Sequence, residues 1–168
     1  MRLLLKTMMV ISLIYFLAWI GVRAIADYNF EANCESHLIK AASTNDIEVA
    51  KLELNKSIEY LDNHNLDNGQ ISIISEAPAN NIKLWYDNLN VSLNELSLIQ
   101  PSSTQLEKLD ILSKLRNSLI ETNRNVTKVI RPEGIEVYPF NKILCLWGFF
   151  SFVLFITFSY LYDYNKRN

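Results

Sequence analysis

The sequence predicts an all-α membrane protein in which two transmembrane helices flank an antiparallel extracytoplasmic bundle of about four helices. Three observations predict it. Two long runs near the ends of the 168-residue chain carry no charge, the segment between them repeats apolar residues at helical spacing, and that segment is punctuated by residues that start and stop helices. Hydrophobic residues make up 49% of the chain with only 4 Gly and 4 Pro, an unusual balance for a soluble helical protein.

The first run, TMMVISLIYFLAWIGV from Thr7 to Val22, has 16 residues and is lengthened by Leu3, Leu4 and Leu5 ahead of Lys6. Lys6 and Arg23 lie within snorkelling reach of the two interfaces. Residues 1–26 are therefore taken as the first span. A cleaved secretory signal is the competing reading, because Arg2 and Lys6 precede the apolar stretch and Ala24-Ile25-Ala26 resembles a processing site; Arg23 beside that site weighs against it. The second run, ILCLWGFFSFVLFITFSYLY, fills residues 143–162 with 20 uncharged residues. At 1.5 Å per residue it reaches about 30 Å, the hydrocarbon thickness of a bilayer. Trp19, Trp147, Tyr160, Tyr162 and Tyr164 sit near the run ends, as interfacial aromatics do.

Charge orients the spans. Arg2 and Lys6 precede the first, and Lys166 and Arg167 in the tail, residues 163–168, follow the second, so both termini are expected in the cytoplasm and the central segment, residues 27–142, outside it. The expected location is a bacterial inner membrane. The central segment holds 11 Lys plus Arg against 17 Asp plus Glu, a balance of −6, and lacks the basic stripe that nucleic acid would require.

Four helical stretches are expected in that segment. The first, Asp27 to Ala42, continues the first span without a break. Ser43-Thr44-Asn45-Asp46 reads as a stop and a new start, with Asn45 and Glu48 at capping-box spacing. The second follows, with Ile47, Ala50, Leu54, Ile58 and Leu61 on one face, and ends near Asn63-His64-Asn65. Asp67-Asn68-Gly69-Gln70 is a turn, Ile71 to Ile74 a short extended patch, and Pro78 closes the connection. A third helix from Asn80 to Ile99 carries Ile82, Trp85, Leu89, Leu93 and Leu96. After Pro101, the pairs Ser102–Gln105 and Thr104–Glu107 both have capping-box spacing. The longest helix then aligns Leu112, Leu115, Leu119, Val126 and Val129, and stops at Arg131-Pro132-Glu133-Gly134. Four alternating directions bring the chain back to the membrane where the second span begins.

Ala50, Glu53-Leu54, Lys56, Ile58 and Tyr60-Leu61, followed by Trp85-Tyr86, Asn88-Leu89, Ser92-Leu93 and Glu95-Leu96, make the pattern A-x-x-E-L-x-K-x-I-x-Y-L…W-Y-x-N-L-x-x-S-L-x-E-L. This resembles a group of uncharacterised small bacterial membrane proteins of cyanobacterial type, over roughly a third of the chain. The resemblance implies a helical fold and an envelope location and brings no activity with it. The chain departs from that group at Asn68-Gly69-Gln70 and at Asn81-Ile82-Lys83-Leu84, so this loop is expected to present a different surface.

Trp85 and Tyr86, beside Ile71, Ile73 and Ile74, form the candidate interaction surface, since aromatics concentrate at recognition sites. The competing reading makes Trp85 the core anchor and Tyr86 its neighbour at the edge, and the place of Trp85 on the apolar stripe favours it. Cys34 and His37 share a helix face at a spacing that suits a metal, but one pair is incomplete and His64 is expected far from His37. No metal, cofactor or catalytic residue is therefore assigned: Ser/His/Asp order, P-loop and dinucleotide glycines are absent from the sequence. Cys145 lies in the second span, so Cys34 is expected to form no intrachain disulfide. Asn55-Lys56-Ser57, Asn90-Val91-Ser92 and Asn125-Val126-Thr127 are N-x-S/T sequons, but with this much Asn about two arise by chance, so they do not argue for a eukaryotic secretory protein. The expected function is that of a non-enzymatic accessory or scaffold protein whose partners are the bilayer and other membrane proteins or itself; the alternative is a ligand-sensing bundle that signals through a partner.

Overall fold

The computed structural model describes residues 2–71, 80–100, 102–123 and 126–167. The chain is mostly helical and forms two compact units, Met1–Asp27 with Pro139–Asn168, and Tyr28–Tyr138. Helix α1 spans Arg2–Phe30 and passes through a π-helical turn at Glu31–Glu35 into α2, Ser36–Ser43. Then come α3 (Ile47–Asn63), α4 (Ile82–Leu98), α5 (Gln105–Leu119), a hairpin of β1 (Ile120–Asn123) and β2 (Val126–Val129), a 3-10 turn at Ile135–Val137, and α6 (Asn141–Arg167).

In the first unit, the apolar parts of α1 and α6 are long enough to cross a membrane, and the chain itself buries only 6% of the first apolar stretch and 17% of the second. What contact they have is with each other. Phe16 meets Phe152 at 5.6 Å between ring centroids, and Trp19 Nε1 donates to the Leu144 carbonyl at 2.6 Å. Trp19 also lies across Gly148, so partners advance along α1 as they retreat along α6 and the helices are antiparallel. Ser12 and Ser151 are both buried here, and such small residues let apolar helices approach closely.

In the second unit the same stepping gives direction. Phe30 packs edge-on against Tyr60, the Cys34 carbonyl accepts from Ser57 Oγ at 3.0 Å, and His37 meets Glu53 at 2.6 Å, so α3 runs antiparallel to α2. Tyr86 of α4 donates to Asp62 of α3 at 2.6 Å, Lys114 of α5 to Glu95 of α4 at 2.7 Å, and Arg116 of α5 to the Ala42 carbonyl at 2.8 Å. Leu38, Leu54, Leu61, Ile82, Leu89, Leu96, Leu119 and Ile135 are fully buried in the core they enclose.

Three local expectations are corrected. The cap of α3 is Asp46 rather than Asn45: its carboxylate accepts from the Glu48 and Val49 amides at 2.8 and 3.3 Å, while Thr44 Oγ1 holds the Asp46 amide. At α5, the capping box is the Thr104–Glu107 pair, both halves made, and not Ser102–Gln105. The third correction is larger. The longest helix does not reach Val129: it stops at Leu119, and Ile120–Asn123 pairs antiparallel with Val126–Val129, Ile120 opposite Val129. Ile120, Thr122, Val126, Thr127, Val129 and Ile130 crowd this stretch with β-branched side chains that prefer extended backbone. Val129 does reach the core, as an inward strand residue. Ahead of α4, Gln70 and Asn81 pair as an antiparallel bridge, with Ile71 N donating to the Asn80 carbonyl at 3.1 Å. Gly69 permits this at φ 128°, and a Cβ there would overlap the Tyr138 hydroxyl. Ile73, Ile74, Pro78 and Pro101 lie outside the described residues.

Candidate interaction surfaces

Trp85 and Ile71 face inward. Trp85 is 9% exposed and its indole nitrogen donates to the Ile130 carbonyl at 2.7 Å, which ties α4 to the end of the hairpin. Ile71 is 7% exposed in the same core. Tyr86 packs against that core half-buried, and its hydrogen bond to Asp62 raises the phenol pKa, with desolvation acting the same way. Of the residues read as a recognition corner and described here, Tyr86 therefore keeps the most open surface.

Beside that corner lies a groove the sequence reading missed. It runs between α4 and α5 with a volume near 330 Å³, a floor of Trp85, Leu89, Leu96, Leu115 and Ile130, and a rim that includes Asn88, Ser92 and Asn117. The Lys114–Glu95 ion pair crosses it. Asn88, Ser92 and Glu95 recur every three to four residues beside the apolar stripe of α4, the one signal that could have marked this edge. The opening itself depends on how far two helices stand apart, which no local pattern encodes.

The titratable groups of α2 and α3 meet each other. Glu53 accepts from Lys56 Nζ at 2.7 Å and from His37 at 2.6 Å, while its side chain is almost buried. The hydrogen bond from Lys56, then that from His37, holds this carboxyl down at about 2. His37 thus turns to Glu53 rather than to a metal shared with Cys34. Burial, aided by the nearby Glu35 carboxylate, pushes the Cys34 thiol up to about 12, so it stays protonated and unreactive at neutral pH. His64 stacks on Tyr60 with centroids 4.1 Å apart and donates to the Tyr60 carbonyl. Among the described residues no group of three or more His, Cys, Asp or Glu side chains could hold a metal ion. Arg131 pairs with Glu35 and with Glu136, and lies 5.1 Å over the Phe30 ring, so one cation joins the π-helical turn to the segment after the hairpin.

In the first unit, a second groove of about 280 Å³ follows the seam of α1 and α6. Ser12 and Ser151 are its small residues; Met8, Tyr15, Trp147 and Phe158 are among its walls. The chain matches no family model, no curated protein and no solved structure.

Proposed function

We propose that this chain is a non-enzymatic accessory or scaffold protein of a bacterial inner membrane, with both termini in the cytoplasm and an up-down-up-down helical bundle, residues 27–142, outside it. Its partners are the bilayer and other membrane proteins, bound through the bundle and the two spans, with no nucleic acid. The observation that carries this is the pair of apolar helices, packed on each other yet almost wholly uncovered by the chain, since such a surface is stable only against lipid or another apolar partner. The pairing of Trp19 with Leu144 and Gly148 supports a retained first span, because cleavage would strip α6 of its neighbour. A non-enzymatic role is favoured because Glu53, His37 and Lys56 satisfy one another and Cys34 is held protonated.

Purification of tagged protein from native membranes in mild detergent tests the proposal: a defined set of stoichiometric membrane partners is expected, and isolation as a lone monomer would refute it. The groove between α4 and α5 favours a second reading, a sensor that takes a small amphipathic ligand and signals through a partner. A reproducible thermal shift by a metabolite, lost in Leu115→Trp, would select it; a broad screen without any shift would count against it.

A further inference from the structure

Tyr15 is the one side chain of α1 whose chemistry conflicts with its place. It lies eight or nine residues from both Lys6 and Arg23, which at 1.5 Å per residue is about 12–14 Å from either interface. A helical side chain leans toward the helix N-terminus, so the phenol points over the preceding turn and stays at mid-span depth. Tyr15 is 58% exposed, and its hydroxyl makes no hydrogen bond to the described residues. In hydrocarbon such a hydroxyl is costly, because water is absent and acyl chains offer no acceptor. It stands on the wall of the groove along the α1–α6 seam. On the opposite wall the Trp147 indole nitrogen also lacks a partner.

We propose that the groove between α1 and α6 is a self-association surface, in which a second copy of this chain packs about a two-fold axis along the membrane normal and the two Tyr15 hydroxyls bond to each other. The proposal rests on the reading that α1 and α6 lie in a bilayer. A phenol both donates and accepts, so two of them need no third group. A foreign helix would have to bring a polar side chain to this depth, whereas a second copy in the same orientation brings one necessarily. The two-fold contact is isologous and closed, so it yields dimers rather than open chains. Small Ser12 and Ser151 leave a recess between larger walls, as close packing of membrane helices requires.

Photo-crosslinking of the full chain in native membranes tests this, with benzoylphenylalanine in place of Ile11, which lines the groove, and, as control, at Leu17, which does not. The expected product is a self-adduct at twice 19.4 kDa from position 11 and little or none from position 17. Tyr15→Phe, which removes one oxygen and leaves the packing, should weaken dimerisation in nanodiscs about threefold, and Ser151→Phe, which fills the groove, should abolish it. An adduct from position 11 to a different protein would overturn the dimer and leave the accessory role intact. Only lipid adducts from position 11, or equal self-adducts from both positions, would overturn it as well. Recovery of the chain outside the carbonate-washed membrane fraction would overturn both the dimer and the spanning reading.

Discussion

Glu53 shows what a single buried charge contributes here. Its folded pKa of about 2 lies below the ordinary 4.5, so the stabilisation it provides is full above pH 4.5 and is lost as pH falls toward 2. At 1.36 kcal/mol per unit the upper bound is about 3 kcal/mol. Glu53→Gln is therefore expected to lower thermal stability at pH 7 by about 1–3 kcal/mol and to flatten the loss of stability between pH 4.5 and 2, as followed by circular dichroism. An unchanged acid limb would mean that Glu53 is not the group that titrates. Gly69 is constrained twice, by φ 128° and by the Tyr138 hydroxyl. Gly69→Ala should cost about 1–3 kcal/mol, and Tyr138→Leu should restore only the part due to overlap. The inward position of Trp85 was legible from its place on the apolar stripe. The Glu53 cluster was not, because His37 and Glu53 lie on different helices and meet only after α2 and α3 pack.

Punctuation served better than periodicity at the level of elements. Both short polar breaks, at Ser43 to Asp46 and at Ser102 to Thr104, were readable because caps are local chemistry. Their exact residues were harder: Asp46 supplants Asn45 because its own carboxylate reaches two amides. Thr104→Ala should remove the capping box of α5 and cost about 1 kcal/mol, measured as a drop in Tm with the fold retained. Periodicity misled after Leu119, where Val126 and Val129 continued a heptad that a stretch rich in β-branched residues does not follow. In the first unit, close approach at Gly148 sets the α1–α6 seam, since a Cβ there would lie 2.5 Å from Trp19 Cε2. Gly148→Leu should therefore lower the Tm of the detergent-solubilised chain, and Trp19→Ala added to it should recover part of the loss; an unaffected Tm would show that Trp19 and Gly148 do not hold the seam.

At the scale of the whole molecule, composition divided the chain before any contact was known: uncharged runs at both ends, an acidic helical segment between. The structure shares that division, with α1 as far as Asp27 and α6 in one unit and residues 28–138 in the other. The groove between α4 and α5 and the pairing of the two apolar helices stayed hidden, since each is a property of two elements together. The proposed function requires both apolar helices to span a membrane and the helical unit to lie outside the cytoplasm. Labelling of intact cells with a membrane-impermeant maleimide tests it most directly, in the Cys145→Ser background with either Leu106→Cys, which is 77% exposed, or Arg167→Cys. Position 106 is expected to label in intact cells and position 167 only after permeabilisation; labelling at 167 with protection at 106 would refute the proposed orientation.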